Sequence, residues 1–122
     1  MIHLAIPSAY VLTANQRLHW AKKARMTKAI RTIAFLAARD WVKQHGTFDH
    51  KVAVVAYLSF PDARRRDPNN WGPTTKAAVD GCVDAGVFVD DSAAYIDGPD
   101  HRLGPLGERG HVGIRFEFLE VE

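Results

Sequence analysis

The sequence predicts a single α+β domain, a mixed α/β arrangement in which two helices pack on one sheet in the order β-α-β-α-β-β. Three observations predict it. The 122 residues are one domain's worth. Stretches of alternating and of helical apolar spacing succeed one another along the chain. No repeat and no linker interrupts them, so residues 1–122 are read as one unit.

Ile2 to Ile6 form a short apolar strand, stopped by Pro7. A polar loop follows, through Asn15 and Arg17. From about Ala21 to Gln44, Ile30, Ile33, Ala34, Ala37 and Trp41 recur at spacings of three and four, with Lys28, Arg31, Arg39 and Lys43 elsewhere. That is an amphipathic helix, and Gly46 is its natural stop. Lys51 to Phe60 reads as a strand, with Val52, Val54, Leu58 and Phe60 on one face. Val55 and Tyr57 on the other face predict burial on both sides. Pro61 then opens a charged loop that runs to Trp71. Pro73 suits the first turn of a second helix, which Gly86 terminates. Val87 to Val89 is a short extended piece, and another extended stretch is expected around Ala93 to Asp97. Gly98 to Gly110, with four glycines and two prolines, reads as a long surface loop. Val112, Ile114, Phe116 and Phe118 alternate with Gly113, Arg115 and Glu117, a strand with one apolar face.

The net charge of +2 conceals an asymmetry. The first acid is Asp40, and before it come Arg17, Lys22, Lys23, Arg25, Lys28, Arg31 and Arg39. A second basic cluster is Arg64-Arg65-Arg66. Such a distribution suits a polyanionic partner, because opposed charge steers and holds a phosphate backbone. A solvated helix face balanced by acids elsewhere in the fold is the alternative. No apolar run approaches the ~20 residues needed to span a bilayer. No signal peptide is read at the start, and the lone Cys82 cannot form an internal disulfide, so a cytoplasmic location is expected. There is no glycine-rich phosphate loop, hence no expected nucleotide cofactor.

The chemistry concentrates in two segments. Arg64-Arg65-Arg66-Asp67-Pro68-Asn69-Asn70 sets three guanidinium groups beside a carboxylate and two amides. Asp90 and Asp91 follow on the far side of one helix, and the strand–loop–helix–strand order is expected to bring both segments to the same end of the sheet. Carboxylates converging from separate elements form a hard-cation site, since Mg²⁺ prefers oxygen ligands and retains waters for phosphate and nucleophile. Surface ion pairing is the competing account of arginine beside acid. On the second helix Lys76, Asp80 and Asp84 sit four residues apart on one face. Lys76 either pairs with Asp80 or stands at a phosphate near the helix N-terminus.

The ordered string Arg65-Arg66-Asp67-Pro68-Asn69-Asn70, Lys76-Ala77-Ala78-Val79-Asp80, Asp84-Ala85-Gly86-Val87 and Asp90-Asp91 resembles the signature of RusA-family crossover junction endodeoxyribonucleases. The likeness covers roughly residues 57 to 97. It implies a RusA-like fold and a Mg²⁺-dependent endonuclease that resolves four-way (Holliday) junction DNA by symmetric nicking, with Mn²⁺ as a possible substitute. It implies Asp67 and Asp91 as metal ligands and catalytic groups, Asp90 as a further acid, and Lys76 as a basic group at the phosphate. Arg17, Lys22, Lys23, Arg25, Lys28 and Arg64 to Arg66 would grip DNA. It also implies a homodimer, whose two-fold axis suits a junction's symmetry.

The sequence departs from the family's Asp-x-Asp-Asn in having Asp67-Pro68-Asn69-Asn70. Asn69 can offer a carbonyl to the metal but no charge, so one ion should bind more weakly or a second not at all. Asp80 is the possible supplementary acid. The second reading is a branched-DNA or RNA binding module whose metal site has degenerated. Trp41 is expected in the core and so is Trp20, with wedging against an unstacked base as the alternative for Trp20 and an open question for Trp71. His101 and His111 are expected at the surface. Cys82 is expected to be a buried, inert thiol.

Overall fold

In a computed structural model, which describes residues 1–121, the chain is an α+β domain with the expected element order. Strands β1 (Ile2–Pro7), β2 (Val52–Ser59), β3 (Ile96–Leu103) and β4 (His111–Glu120) form one sheet in the order β1-β4-β2-β3. Helices α1 (Trp20–His45) and α2 (Gly72–Asp84) complete the fold. β4 pairs antiparallel with both β1 and β2, whereas β2 and β3 run parallel.

Alternation decides which side of the sheet is covered. Ile2, Leu4, Ile6, Val52, Val54, Ala56, Leu58, Val112, Ile114 and Phe116 are buried. They share one cluster with Met26, Ile30, Ala34 and Ala38 of α1 and Ala77, Ala78 and Cys82 of α2. Both helices therefore cover the same face. The expected burial of β2 on both sides is corrected here: Val55 and Tyr57 are only half-buried, and the Arg115 guanidinium lies 4.3 Å over the Tyr57 ring. The reason is that no element packs on that side, so an apolar body and a cationic lid suffice.

The second correction concerns Gly98 to Gly110. Ile96 to Leu103 pairs with β2, with a register irregularity between Ala53 and Val55. Gly98-Pro99 falls at that irregularity, and β3 is an edge strand, where a missing amide proton costs no ladder bond. Only the remainder, Gly104 to Gly110, is loop, fastened by Gly104 N–H to Leu58 O at 2.7 Å and Gly107 N–H to Phe60 O at 2.8 Å.

The helices touch closely where Gly81 of α2 crosses α1. A methyl group there would collide with the Arg31 carbonyl and lie 2.8 Å from the Ala34 Cβ. α1 itself, at 26 residues, is about 39 Å long. Its buried positions lie only between Met26 and Ala38, so its first turn overhangs the core.

Candidate functional site

The parallel pairing of β2 and β3 dictates where the chemistry lies. α2 connects them and must carry the chain back to the start of the sheet. The loop of residues 60–71 leaves from the C-terminal end of β2. The segment after α2 arrives at the other end, where Phe88 bridges to Phe48 and Val52 N–H donates to Tyr95 O at 2.9 Å. Asp67 and the Asp90–Asp91 pair thus flank opposite ends of α2, contrary to the expectation that both reach one end of the sheet. The expectation failed because a helix between parallel strands necessarily spans the sheet's length.

The N-terminal end of α2 is tightly bonded. Asp67 caps a short 3-10 turn, Pro68–Trp71, its Oδ1 accepting the Asn69 N–H at 3.0 Å. Thr74 is fully buried and pairs reciprocally with Leu12: the Leu12 N–H donates to Oγ1 at 2.8 Å, and the hydroxyl donates to Leu12 O at 2.6 Å. Thr75 Oγ1 lies 3.1 Å from Gly72 O and 2.7 Å from His101 Nε2. A hydroxyl has one proton, so when Thr75 donates to Gly72 the imidazole donates from Nε2 to Thr75. Burial pushes the His101 pKa down, opposed by the negative charges of Asp100 and Asp67. His101 was expected to be an ordinary surface residue. Its half-burial, its bond to a buried threonine and the nearby Asp67 make it part of this end of the site. Nothing local in the sequence signals this, since Thr75 and His101 meet only through the β2–β3 pairing.

Lys76 is exposed and donates to Asp80 Oδ1 at 2.7 Å. The alternative left open by spacing is therefore occupied here by the ion pair, and Asp80 is held by its own helix.

The C-terminal flank is looser. Asp90 accepts the Asp91 N–H at 2.8 Å, and both side chains are exposed. Arg31 reaches across from α1 to make two bonds to Asp84, one of them 2.8 Å. The hydrogen bond to Asp84 holds the guanidinium above its ordinary pKa, with Asp84, Asp80 and Asp91 adding their charges. The same bond holds the Asp84 carboxyl below the usual carboxylate range. Asp80, Asp84 and Asp91 thus sit round one arginine on the basic helix.

On that helix Lys22, Lys23, Arg25 and Lys28 are exposed and, among the described residues, make no ion pair. Arg17 is exposed in the preceding loop. The arginine cluster is less uniform. Arg66 is half-buried, 2.9 Å from Asp62 and 4.3 Å over the Phe60 ring; Arg64 lies 3.9 Å from Asp62. The Arg64 backbone N–H and the Arg66 guanidinium together hold the Asp62 carboxyl below its ordinary pKa. Arg65 is exposed and makes no ion pair among the described residues. Trp71 is half-buried and packs on Phe60 at 4.7 Å between ring centroids. Trp20, expected in the core, is 76% exposed because the overhanging first turn of α1 reaches no partner. Cys82 is buried as expected, and burial pushes its thiol to about 12.

The fit of a metal ion follows from these placements. Among the described residues, no three His, Cys, Asp or Glu side chains gather closely enough to hold one. Asp67 and Asn69 stand at one end of α2, and Asp90 and Asp91 beyond the other, so the four do not fit a single ion within one chain. Yet Asp67, Asp90 and Asp91 make no ion pair among the described residues, unlike Asp62, Asp80, Asp84 and Asp100. No protein-family model and no curated protein matches the chain.

Proposed function

We propose that the chain is a structure-selective endonuclease that holds four-way junction DNA against α1 and nicks it symmetrically as a homodimer, in DNA recombination and repair. One observation carries this reading: an unpaired cationic face on α1 adjoins exposed carboxylates through Arg31. Phosphates would lie on Lys22, Lys23, Arg25 and Lys28 without reading sequence, as backbone contacts generally do. A pure binder has no use for acids beside such a surface, since they repel the phosphates it holds.

Dependence on Mg²⁺, with Mn²⁺ as substitute, belongs to the same proposal; such an ion supplies an activated water and charge neutralisation at the phosphate. Of the three acids that the resemblance implies, Asp91 is the one whose charge acts on Arg31 of the basic helix. Asp67 and Lys76 belong to the other half of α2, with His101 as a neutral group able to accept a proton there.

The test is cleavage of a labelled synthetic four-way junction beside matched linear duplex, with Mg²⁺, with Mn²⁺ and with chelator. Paired, metal-dependent nicks confined to the junction are expected. D91N should abolish cleavage while junction binding holds or tightens as local repulsion falls; lost binding instead would sink the assignment. A second reading, a non-catalytic branched-DNA or RNA binding module, is favoured by the unassembled carboxylates and by Asn69 in place of an acid. Tight junction binding with no cleavage under either metal is its signature.

A further inference from the structure

The most exposed large apolar side chain given by the structure lies within the cationic stretch. Trp20, the first residue of α1, is 76% exposed, and the His19 ring stands 5.5 Å from it at a tilt of 33°. From the indole an open surface, lined by α1 alone, runs past Lys23, Ala24, Thr27 and Lys28 to Arg31. These positions recur at three and four residues, so they form one continuous face of the helix. The face carries the small residues Ala24 and Thr27, an aromatic ring at one end and cations along its length. Arg31 is already bound to Asp84, which leaves Lys23 and Lys28 as its free charges.

We infer that Trp20, Lys23 and Lys28 form a stacking site for one unpaired base of a DNA strand, with the base on the indole and its flanking phosphates on the two lysines. The inference rests on the reading of α1 as a DNA face and names what that face holds. An aromatic plane is complementary to any base, and lysines are complementary to the phosphates on either side. A second copy of the chain fits poorly, because a two-fold contact on this face would bring two sets of the same unpaired lysines into one interface. An apolar partner would leave both ammonium groups facing it.

The experiment measures binding by fluorescence anisotropy with chelator present, so that cleavage plays no part. The probes are a labelled oligothymidylate, an abasic oligomer of the same length and charge, and a four-way junction. The wild-type protein should hold the oligothymidylate about tenfold more tightly than the abasic strand. W20A should erase that preference, W20F should keep most of it, and K23A/K28A should weaken both strands alike. Equal binding of the two strands by the wild-type protein overturns the stacking site while junction binding leaves the DNA reading standing. Failure to bind any of the three overturns both. An unchanged preference in W20A, with a change in its sedimentation, overturns the proposal in favour of a contact between copies.

Discussion

The two ends of α2 are built differently. At its N-terminus, Thr74 and Thr75 are fully buried, and their hydroxyls tie three segments together: the Leu12 loop, the first helical turn and His101 of β3. At its C-terminus the polar tie to α1, beside the close contact at Gly81, is an Arg31–Asp84 pair whose side chains are 48% and 39% exposed, and Asp90 and Asp91 bond only locally. One end is fixed by buried neutral hydrogen bonds, which are costly to break because water cannot replace them. At the other the polar tie is exposed charge, which solvent and salt weaken. A rigid end suits positioning. A loose, acid-rich end beside a cationic helix suits a partner that arrives with its own counter-charges.

The comparison can be broken in the last turn of α2. G81A forces a methyl group against the Arg31 carbonyl, and overpacking of this kind costs about 1–3 kcal/mol. We expect the upper part of that range, read as a lower denaturant midpoint with an unchanged slope, since the obstacle is backbone and cannot rotate away. Next in size is T74V at the buried end. It preserves shape but leaves the Leu12 N–H and carbonyl without their partner, and should cost about 2 kcal/mol by the same measurement. D84N at the exposed end should cost under about 1 kcal/mol, and less at high salt. If D84N proved as costly as T74V, the contrast between the ends would be wrong.

The smallest effect is one of pH. The folded-state pKa of His101 is depressed below the ordinary 6.5, chiefly by burial, so the unfolded chain takes up a proton first. Stability from this group is therefore complete above about pH 6.5 and declines as the pH falls below it. His50 is raised by its bond to Asp49 and acts with the opposite sign, favouring the fold below its raised value and losing that contribution as the pH rises through it. H101Q should therefore flatten the decline on the acid side, measured as denaturation midpoint against pH. A decline of the same steepness in H101Q would assign the slope to another group.

Periodicity made most of the fold legible. The alternation of β4, the valine-rich β2 and the three- and four-residue spacing of α1 each state a face as well as an element, and a buried face is what sets register. β3 was legible only at its start, where the stretch expected around Ala93 to Asp97 meets Ile96 and Asp97; Gly98-Pro99-Asp100-His101 carries no apolar alternation and is strand only because β2 offers it a parallel edge. That same pairing, which no local pattern encodes, separates Asp67 from Asp91 and brings His101 to Thr75. The acids, Lys76 and the cationic run were all readable as residue types. Which of them meet was not, since it depends on the path of the chain between β2 and β3. Trp20 was misplaced for a related reason: helical spacing gives the face of a residue but not how far the supporting core extends along the helix.

The overhang of α1 has one more consequence. Because its first turn carries no buried side chain, substitutions at the exposed Trp20, Lys22, Ala24 and Arg25 change what the surface meets and leave the buried core as it is. Affinity for a partner can therefore drift, sharpen or switch there while the melting behaviour stays constant. Related chains should diverge most freely at this turn, and variants selected for a new target should accumulate in it first.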